Sequence, residues 1–520
     1  MTRSSSLNAL RRGRELSEAS DGRVVDLLVV GLGVTGAGVA LDAATRGLDV
    51  VAIDAQDLAF GTSRWSSKLA HGGLRYLASG QFGIARESAV ERGILLTRTA
   101  PHLTRTMPWV VPHYGRAGRH EQALTMGGFI GGDLLRRVAR TPASVLPHPR
   151  RLRPAEALAL APGIRERGLR AASLGWDGQL VDDARLVTAI ARSAALYGAR
   201  VLTRVRALQT TGDGARVRDE LTGSEHDVKA RAVINATGVW AGQVAPGIHL
   251  RPSRGTHLVV RSSSLGSMDC VVNSPVPGHF GRFVFTLPQL DGTTYIGLTD
   301  EPVDGDVPDV PHPDETEVDF LLETINAVLR TALTRDDVIG RYAGLRPLLD
   351  ADGGMRRTSR GGPGGGTADL SRRHAVLTAP DGLVTVVGGK LTTYRRMAQD
   401  AVDVACRERG LTAGPCVTAR TPLVGAAPRD RLATLGPPSR LVRRYGTEAP
   451  DVLSPDPARN QPISDQIPTT PAEFDFALRH EGALGVDDLL DRRTRVGLVP
   501  ADRTAAETAA TDAVTRFLAE

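Results

Sequence analysis

The sequence is poor in cysteine, and its cysteines lie far apart. Only Cys270, Cys406 and Cys416 occur among 520 residues. None belongs to a C-x-x-C pair, so the sequence indicates neither a disulfide framework nor a zinc site. The twelve histidines show no ligand spacing such as H-E-x-x-H, and we predict no metal. A reducing, cytoplasmic environment is expected.

Lysine is scarcer still. Lys68, Lys229 and Lys390 are the only lysines among 64 basic residues, and the other 61 are arginine. An ammonium and a guanidinium are not interchangeable at a binding site. Lysines that persist against such a bias therefore indicate positions that need a compact charge. Lys229 has no motif around it and is expected at the surface.

Long apolar runs and blocks of like charge are also absent. No stretch holds 18 consecutive apolar residues, which argues against a membrane-spanning helix. The net charge of +6 is spread along the chain. This excludes a dedicated nucleic-acid binder but permits attraction to an anionic membrane surface. Residues 1–20 are polar and are expected to form a flexible tail.

A βαβ unit begins close to the N-terminus. A buried strand, Arg23 to Val30, leads into the glycine turn Gly31-Leu-Gly-Val-Thr-Gly36 and a helix, and a second strand ends at Asp54. Glycines at these positions permit a tight turn and close approach of a pyrophosphate, and the acid can bind a ribose. The unit predicts dinucleotide binding without distinguishing NAD from FAD. The alternative is a glycine turn that binds nothing.

The segment that follows is dense in hydroxyls, glycines and cations and has no core periodicity. It reads Gly-Thr-Ser-Arg-Trp-Ser-Ser-Lys-Leu-Ala-His-Gly-Gly-Leu-Arg-Tyr over residues 61–76. Its position just after the ribose-binding strand would let it wrap a pyrophosphate and a flavin. The alternative interpretation is a solvated loop.

The remaining pattern predicts three domains. Helices are expected over 82–98, 182–198, 318–333 and 392–407, and antiparallel strands between about 250 and 300. Residues 353–366 form a Gly/Arg-rich loop, and Thr470 to Glu473 has the pattern of a capping box. We predict an α/β protein with a Rossmann-like nucleotide-binding domain (21–100, 172–245 and 343–400), an antiparallel-sheet substrate domain (101–171 and 246–342) and a helical C-terminal domain (410–520).

The stretch 26–101 resembles the FAD-dependent glycerol-3-phosphate dehydrogenases of the aerobic, quinone-linked kind, and most of all their actinobacterial branch. The phrase from Thr62 to Tyr76 is close to that family's signature. Further matches follow in the family's order at 181–186, 235–240, 254–257, 297–300, 342–347, 371–372 and 388–395. Three departures are Leu32 in place of glycine, Asp54 in place of glutamate, and a longer 353–366 loop.

The resemblance implies a FAD-binding fold of the glutathione-reductase/D-amino-acid-oxidase type. It also implies oxidation of sn-glycerol 3-phosphate to dihydroxyacetone phosphate, with hydride passing to flavin N5 and electrons to a quinone. The enzyme would then lie on the inner face of the plasma membrane. A homodimer is one option, since the sequence leaves the oligomeric state open.

Motifs and resemblance together assign the site residues. Binding of the substrate and its phosphate is assigned to Arg75, Tyr76, Asp300, Arg372, Lys390 and Thr393. Catalysis at the reacting carbon is assigned to His257, Arg346 and His71. Which of the three takes the hydroxyl proton stays open. The cofactor is assigned to Gly31, Gly33, Val34, Thr35, Gly36, Asp54, Thr62, Ser63, Ser66, Ser67, Lys68, His71, Gly72, Gly73, Ala236, Thr237, Gly238, Gly389, Lys390, Leu391 and Thr392.

Several alternatives remain at this stage. His257 fits a satisfied core histidine as well as a base, and Asp300 fits an ordinary turn. An oxidase that reduces oxygen, an amine oxidase of the same superfamily, and a non-catalytic FAD redox sensor compete with the dehydrogenase. A clamp of several cations favours a phosphorylated substrate over an amine.

Overall fold

Two β-sheets and a set of helices make up the described part of the chain. The computed structural model describes residues 4–73, 76–77, 80–115, 118–279, 281–349, 356–357 and 374–519. The predicted Arg75, Arg372 and the 353–366 loop lie outside these residues, apart from Arg356 and Arg357. The strands are β1 Val24–Val30, β2 Val50–Ile53, β3 Leu69–Ala70, β4 Thr104–Tyr114, β5 Arg150–Leu152, β6 Leu169–Leu180, β7 Arg200–Leu202, β8 Val205–Thr211, β9 Gly214–Asp219, β10 Glu225–Asn235, β11 Ser253–Arg261, β12 Val271–Pro275, β13 Phe283–Pro288, β14 Thr293–Gly297, β15 Glu301–Pro302, β16 Val338–Arg346, β17 Arg356–Arg357, β18 Ala375–Thr378 and β19 Val384–Val387.

The helices differ widely in length. They are α1 Ala9–Ala19, α2 Val34–Thr45, α3 Phe82–Ile94, α4 Gly118–Val138, α5 Pro154–Leu160, α6 Asp183–Leu196, α7 Ala241–Val244, α8 Glu315–Asn326, α9 Tyr394–Arg409, α10 Arg429–Ala433, α11 Ser439–Tyr445, α12 Ala449–Val452, α13 Pro471–His480, α14 Val486–Asp488 and α15 Pro500–Ala519. Among the described residues, none of these helices is both long and apolar enough to cross a membrane.

The first sheet has the predicted nucleotide-binding topology. Its order is β17-β18-β19-β10-β1-β2-β7, and the strands from β19 to β7 are parallel. These strands are runs of Val, Ile and Leu because both faces are covered, as in most parallel sheets. Helices α2, α6 and α9 bury one face, in a cluster that includes Leu27, Val29, Ala37, Ile190 and Val402.

The second sheet is mostly antiparallel, as predicted. Its order is β15-β11-β14-β13-β12-β4-β6-β3, with β16 paired to β11 and β5 to β6. Helix α8 covers one face, where Leu258, Ile296 and Leu321 are fully buried. The other face packs against residues 65–69 and the C-terminal segment near Leu498.

Two predicted domain boundaries fall inside strands of the second sheet. The boundary at 172 cuts β6, which pairs with β4 along its length. The boundary at 343 cuts β16, which pairs with β11 up to Arg346. Both strands therefore begin in the substrate domain and end where the two sheets meet.

The predicted flexible N-terminal tail is wrong for residues 9–19, which form α1. The side chain of Asn8 caps this helix by accepting a hydrogen bond from the Arg11 N–H at 2.9 Å. Leu16 is buried, and Arg12 donates to the carbonyl of Thr203 at 2.7 Å and pairs with Asp219. The segment is polar in sequence, yet it packs on the protein. The apolar stems of its arginines can be buried while their guanidinium groups bind acceptors far away in the sequence.

The C-terminal domain is helical, as predicted, and begins α13 with the expected capping box of Thr470 and Glu473. It is fixed to the first sheet by a buried ion cluster. The guanidinium groups of Arg492 and Arg493 donate three hydrogen bonds of 2.6–2.8 Å to the carboxylate of Asp57. Burial alone would raise the pKa of Asp57, but the two arginines outweigh it and hold that pKa well below its ordinary range.

This cluster generates a stability prediction. Asp57→Asn should lower the free energy of unfolding by about 3 kcal/mol, because it removes the carboxylate partner of buried Arg493 and leaves Arg492 with Asp488 alone. The ionised carboxylate stabilises the fold above the unfolded pKa of about 3.9, and this contribution is lost as the pH falls. Denaturant unfolding between pH 3 and pH 7 measures both effects.

The control is Asp213→Asn, which removes an ion pair to Arg409 in which the aspartate side chain is 75% exposed. It should change the free energy of unfolding by less than about 1 kcal/mol. Equal effects of the two substitutions would contradict the role given to Asp57.

Candidate cofactor and substrate site

The glycine turn lies where β1, β2 and β10 end. Gly31 has φ +101°, and a Cβ there would stand 2.7 Å from the carbonyl oxygen of Ala236. Gly33 is the N-cap of α2 and has no side-chain cap. Val34, Thr35 and Gly36 form the first turn of that helix, whose N–H groups have no partner within the helix. A glycine turn at the N-terminus of a helix is the kind of site that can hold a pyrophosphate.

Asp54 braces this turn from the end of β2. Its Oδ2 accepts a hydrogen bond from the Leu32 N–H at 2.6 Å, and its Oδ1 accepts one from the Gln56 N–H at 2.8 Å. Burial raises the pKa of Asp54 to about 6, against the effect of those two N–H groups. The carboxylate therefore holds the glycine turn in shape, and each oxygen retains lone pairs that can accept from a ribose hydroxyl.

The segment 61–73, which we call the signature loop, joins the two sheets. Ser63 Oγ accepts a hydrogen bond from the Val34 N–H at 2.9 Å, and Thr62 Oγ1 donates to the carbonyl of Leu345 at 2.7 Å. Ser66 donates to Asp183 Oδ2 through both its N–H, at 3.0 Å, and its hydroxyl, at 2.8 Å. These hydroxyls were predicted to wrap the cofactor, and those contacts show that they also fix the loop to the protein.

Lys68 points into the protein rather than toward the glycine turn. It is 1% exposed, and its Nζ lies 3.2 Å from Asp183 Oδ2. The ammonium also donates to the carbonyls of Arg64 and Ser66, at 3.0 and 2.9 Å, and lies over the ring of Tyr342. Burial and the nearby Arg495 lower the pKa of Lys68 to about 7. Its contacts do not support the predicted role at the pyrophosphate; they make it the internal support of the loop.

His257 lies beside Lys68 on the face of the second sheet that meets the signature loop. Its Nε2 is 2.8 Å from Ser67 Oγ, and its ring stacks on Tyr342 at 4.7 Å. Burial lowers the pKa of His257 well below its usual value, helped by the charges of Lys68 and Arg346. The imidazole is therefore neutral at physiological pH.

Arg346 and Asp300 form an oriented pair at the end of the same sheet. Arg346 Nη1 donates to Asp300 Oδ1 at 2.9 Å, and its Nη2 donates to the carbonyl of Thr299 at 3.1 Å. Ser253 donates to Asp300 Oδ1 at 2.6 Å. The Arg346 side chain is 32% exposed, so its guanidinium is held in place yet remains accessible.

Lys390 and Tyr76 come together from distant parts of the sequence. The Lys390 ammonium lies 3.6 Å from the centre of the Tyr76 ring and donates to Ser88 Oγ at 2.7 Å. Ser88 lies on α3, so this contact joins α3 to the turn that follows β19. Both residues were assigned to the substrate, and that assignment stays a prediction.

The other assigned residues lie on the turns around these groups. Gly389 has φ +76°, and Leu391–Thr393 form a single 3-10 turn, in which Thr393 Oγ1 donates to the carbonyl of Lys390 at 3.2 Å. The Ala236 N–H donates to the carbonyl of Val30 at 2.8 Å, Thr237 is fixed by Asn235, and Gly238 has φ +62°. His71 has electrostatic or hydrogen-bond partners and is half-buried beside Gly72 and Gly73.

Sequence reasoning gave no role to two acids that organise the loop. Asp183 receives Ser66 and Lys68, and Asp177 accepts hydrogen bonds from the Gly72 N–H at 3.1 Å and from Arg92 at 2.7 Å. Asp183 lies in the matched segment 181–186 and at the start of a helix, where an acid is common anyway, and neither observation predicts a contact with the loop. In the part of the chain that the structure describes, no three His, Cys, Asp or Glu side chains group as a metal site.

Comparisons with known proteins agree with this geometry. Residues 26–395 match the family model described as FAD dependent oxidoreductase, and residues 416–520 match the C-terminal domain of alpha-glycerophosphate oxidase. The chain is 51% identical over 508 residues to glycerol-3-phosphate dehydrogenase 1 of Mycobacterium tuberculosis, which covers 97% of both chains. The chain belongs to the FAD-dependent glycerol-3-phosphate dehydrogenase family.

More distant members of the family support this assignment. Glycerol-3-phosphate dehydrogenase of Mycobacterium leprae is 37% identical, over 91% of this chain and 81% of that protein. The structure of a glycerol-3-phosphate dehydrogenase from Bacillus halodurans complexed with FAD matches with a TM-score of 0.71 and 27% identity, covering 98% and 96% of the two chains. The predicted family, FAD-binding fold and cofactor are confirmed, and the open glycine turn fits an FAD pyrophosphate.

The buried lysine of this dehydrogenase generates the next prediction. Lys68→Met should lower the free energy of unfolding by about 3–5 kcal/mol, because it leaves the charge of Asp183 buried and unpaired. The FAD content of the purified protein should fall with it. Burial lowers the pKa of Lys68 to about 7 in the folded protein, whereas an unfolded lysine has a pKa of about 10.4. Between these two pH values the unfolded chain binds one more proton than the folded protein. Stability should thus rise with pH across that window, and Lys68→Met should lose the rise.

Lys68→Arg should not rescue the protein, since a planar guanidinium does not fit the compact cage of carbonyls. Lys229→Met, an exposed change on β10, is the matched control. An arginine variant with normal stability and FAD content would show that the site needs no ammonium.

Proposed function

We propose that this chain oxidises the C2 hydroxyl of sn-glycerol 3-phosphate to the ketone of dihydroxyacetone phosphate and passes the electrons to a quinone. The reaction removes a hydride from carbon and a proton from oxygen, and FAD, when bound, supplies the two-electron acceptor. The observation that carries the proposal is the convergence of a neutral buried histidine, an oriented arginine and a lysine around the signature loop. The name shared by its relatives supports the substrate.

The buried imidazole of His257 is the proposed proton acceptor. It is neutral because burial lowers its pKa, so it can accept a proton at all physiological pH values. A low pKa makes it a weak base, but the hydroxyl becomes acidic as hydride leaves the same carbon. Ser67 Oγ, 2.8 Å from Nε2, fixes the plane of the ring.

Two cations are proposed to bind and orient the substrate. Arg346 is held by Asp300 and Thr299 and is one-third exposed, so it can donate to the oxygen at C2 or to the phosphate. Lys390 lies over Tyr76 and supplies a second charge. Arg75 and Arg372 remain proposed partners of the phosphate, because a dianion is best bound by several charge-assisted hydrogen bonds.

An apolar stripe on α4 supports docking on an anionic membrane. Ile130, Leu134 and Val138 are 59%, 62% and 49% exposed and recur at every fourth residue. Arg137 beside them is 63% exposed. Exposed apolar residues flanked by arginine are typical of helices that lie in a membrane interface. An adjoining face of α4 packs through Leu135 against the cluster around Tyr76, which places this helix beside the proposed substrate site.

The activity is tested with the purified FAD-loaded protein under anaerobic conditions. Glycerol 3-phosphate should bleach the flavin absorbance, and a soluble quinone analogue should restore it faster than oxygen. Lys390→Ala should keep its FAD but lose roughly 10- to 100-fold in kcat/KM, since a hydrogen bond to a charged group is removed.

The matched control is Lys229→Ala, which should behave as the unaltered protein. Absence of bleaching would contradict the proposed substrate. Faster reoxidation by oxygen with release of peroxide would identify an oxidase instead. Loss of FAD in Lys390→Ala, in step with activity, would make that lysine a cofactor residue.

Membrane docking has its own test, in sedimentation with vesicles of phosphatidylcholine and phosphatidylglycerol. Ile130→Glu and Leu134→Glu should each weaken binding about tenfold or more, because one buried aliphatic side chain contributes about 1.5–3 kcal/mol. Leu208→Glu and Leu221→Glu change exposed leucines elsewhere and should leave binding unchanged. Equal binding by all four variants would contradict docking through α4.

A further inference from the structure

A cavity lies where the signature loop, the second sheet and the C-terminal domain meet. Its lining includes no residue of the glycine turn and neither His257 nor Arg346. Its volume is about 50 Å³, whereas one water needs roughly 10–15 Å³ of such space. Lys68, Asp182, Tyr295, Arg444 and Arg495 are among its lining residues. The exposed Gln466 and Asp291 at its edge connect it to solvent.

Two arginines of the C-terminal domain present unused donors at this cavity. Arg495 is 5% exposed, yet its Nε and Nη2 have no hydrogen-bond partner. Its remaining nitrogen, Nη1, makes a long contact of 3.4 Å with the carbonyl of Asp491. Arg444 Nε is also buried without a hydrogen bond, although it lies 3.6 Å from Glu473 Oε1 in an ion pair. Buried N–H groups of arginine are costly to leave unpaired, so a set of them around a space indicates an acceptor that fills it.

One buried acceptor faces the same space. Asp182 is 2% exposed, and its Oδ1 caps α6 by accepting from the Arg185 N–H at 3.2 Å. Its Oδ2 has no hydrogen bond and lies 3.5 Å from Arg444 Nη1. A ligand there has to accept from the arginines and also donate one hydrogen to this oxygen.

The other charged groups of the lining are already paired within the protein. Lys68 pairs with Asp183, Arg440 with Glu473, and Asp502 with Arg261. The Asp291 carboxylate accepts from the N–H and hydroxyl of Thr293 in a turn. Among the described lining residues, the buried atoms without a hydrogen bond are therefore Nε and Nη2 of Arg495, Nε of Arg444 and Oδ2 of Asp182.

We propose that this cavity binds an oxyanion that carries a hydrogen, of the phosphate or phosphate-monoester class, at a site distinct from the substrate site. Arg495 and Arg444 donate to its oxygens, and its own hydroxyl donates to Asp182 Oδ2. Such an ion would link the C-terminal domain to α6 and to the signature loop through Lys68. Inorganic phosphate and a phosphate ester share this chemistry, and the size of the cavity decides between them.

The test is isothermal titration calorimetry of the FAD-loaded protein with inorganic phosphate, at constant ionic strength in chloride. Competition with glycerol 3-phosphate in the kinetic assay measures phosphate binding at the substrate site separately. We expect the calorimetry to show a binding event with a dissociation constant different from that inhibition constant. Arg495→Gln should weaken this event at least about tenfold and leave the inhibition constant unchanged. Repeating the titration with glycerol 2-phosphate distinguishes a free ion from an ester.

The matched control is Arg443→Gln, an exposed residue next to Arg444, which should bind phosphate normally. Asp182→Asn provides a second, independent variant, because asparagine also caps helices well. Its amide would donate where Oδ2 accepts, so the ratio of sulfate affinity to phosphate affinity should rise about tenfold or more. A single binding event that matches the inhibition constant, or an unchanged isotherm in Arg495→Gln, would overturn the proposal. An unchanged sulfate-to-phosphate ratio in Asp182→Asn would also overturn it.

The proposal does not rest on the substrate proposed above. If glycerol 3-phosphate fails to reduce the flavin, the calorimetric comparison of the unaltered protein with Arg495→Gln still decides this site. Conversely, loss of the second binding event would leave flavin reduction by the substrate untouched.

Discussion

The carboxylate of Asp183 is the interaction on which the rest of the site depends. It is fully buried, and one of its oxygens receives the Ser66 N–H, the Ser66 hydroxyl and the Lys68 ammonium. These contacts fix the signature loop between the two sheets. With its middle fixed, the loop can brace the glycine turn through Ser63 and orient His257 through Ser67. Cofactor and substrate groups are thus positioned by one segment.

A buried ion pair of this kind stabilises little overall, because desolvation of both charges offsets most of their attraction. The pair instead favours one register of the loop. If the loop shifted by one residue, Asp183 and Lys68 would each be buried without a partner of opposite charge. The ammonium suits this task better than a guanidinium would. It is a compact charge that fits between the carbonyls of Arg64 and Ser66 and the ring of Tyr342. This explains a lysine at 68 in a chain otherwise so rich in arginine.

Local features could be predicted from the sequence, whereas distant partners could not. The glycine turn, the strands beside it and the capping box at Thr470 depend on neighbours a few residues away, and the structure has them. Lys68 was predicted at a pyrophosphate because its motif is local, but its partner Asp183 is more than a hundred positions away. The predicted limits at 172 and 343 fall inside strands for a similar reason, since the sheet that a strand joins depends on its partner. The titration of His257 depends on burial, which its motif does not reveal.

The C-terminal domain contributes none of the assigned site residues, but it contacts the elements that hold them. Asp57 follows Asp54 by three positions and accepts from Arg492 and Arg493, so the end of β2 is held on both sides. Two residues further on, Arg495 lies over the ring of Trp65 in the signature loop. A short stretch of the last domain therefore holds the end of β2 through Arg492 and Arg493 and contacts the signature loop at Trp65. Because a base has to lie within hydrogen-bond distance of its proton, small shifts of this domain would reach the reacting groups through rigid, buried contacts.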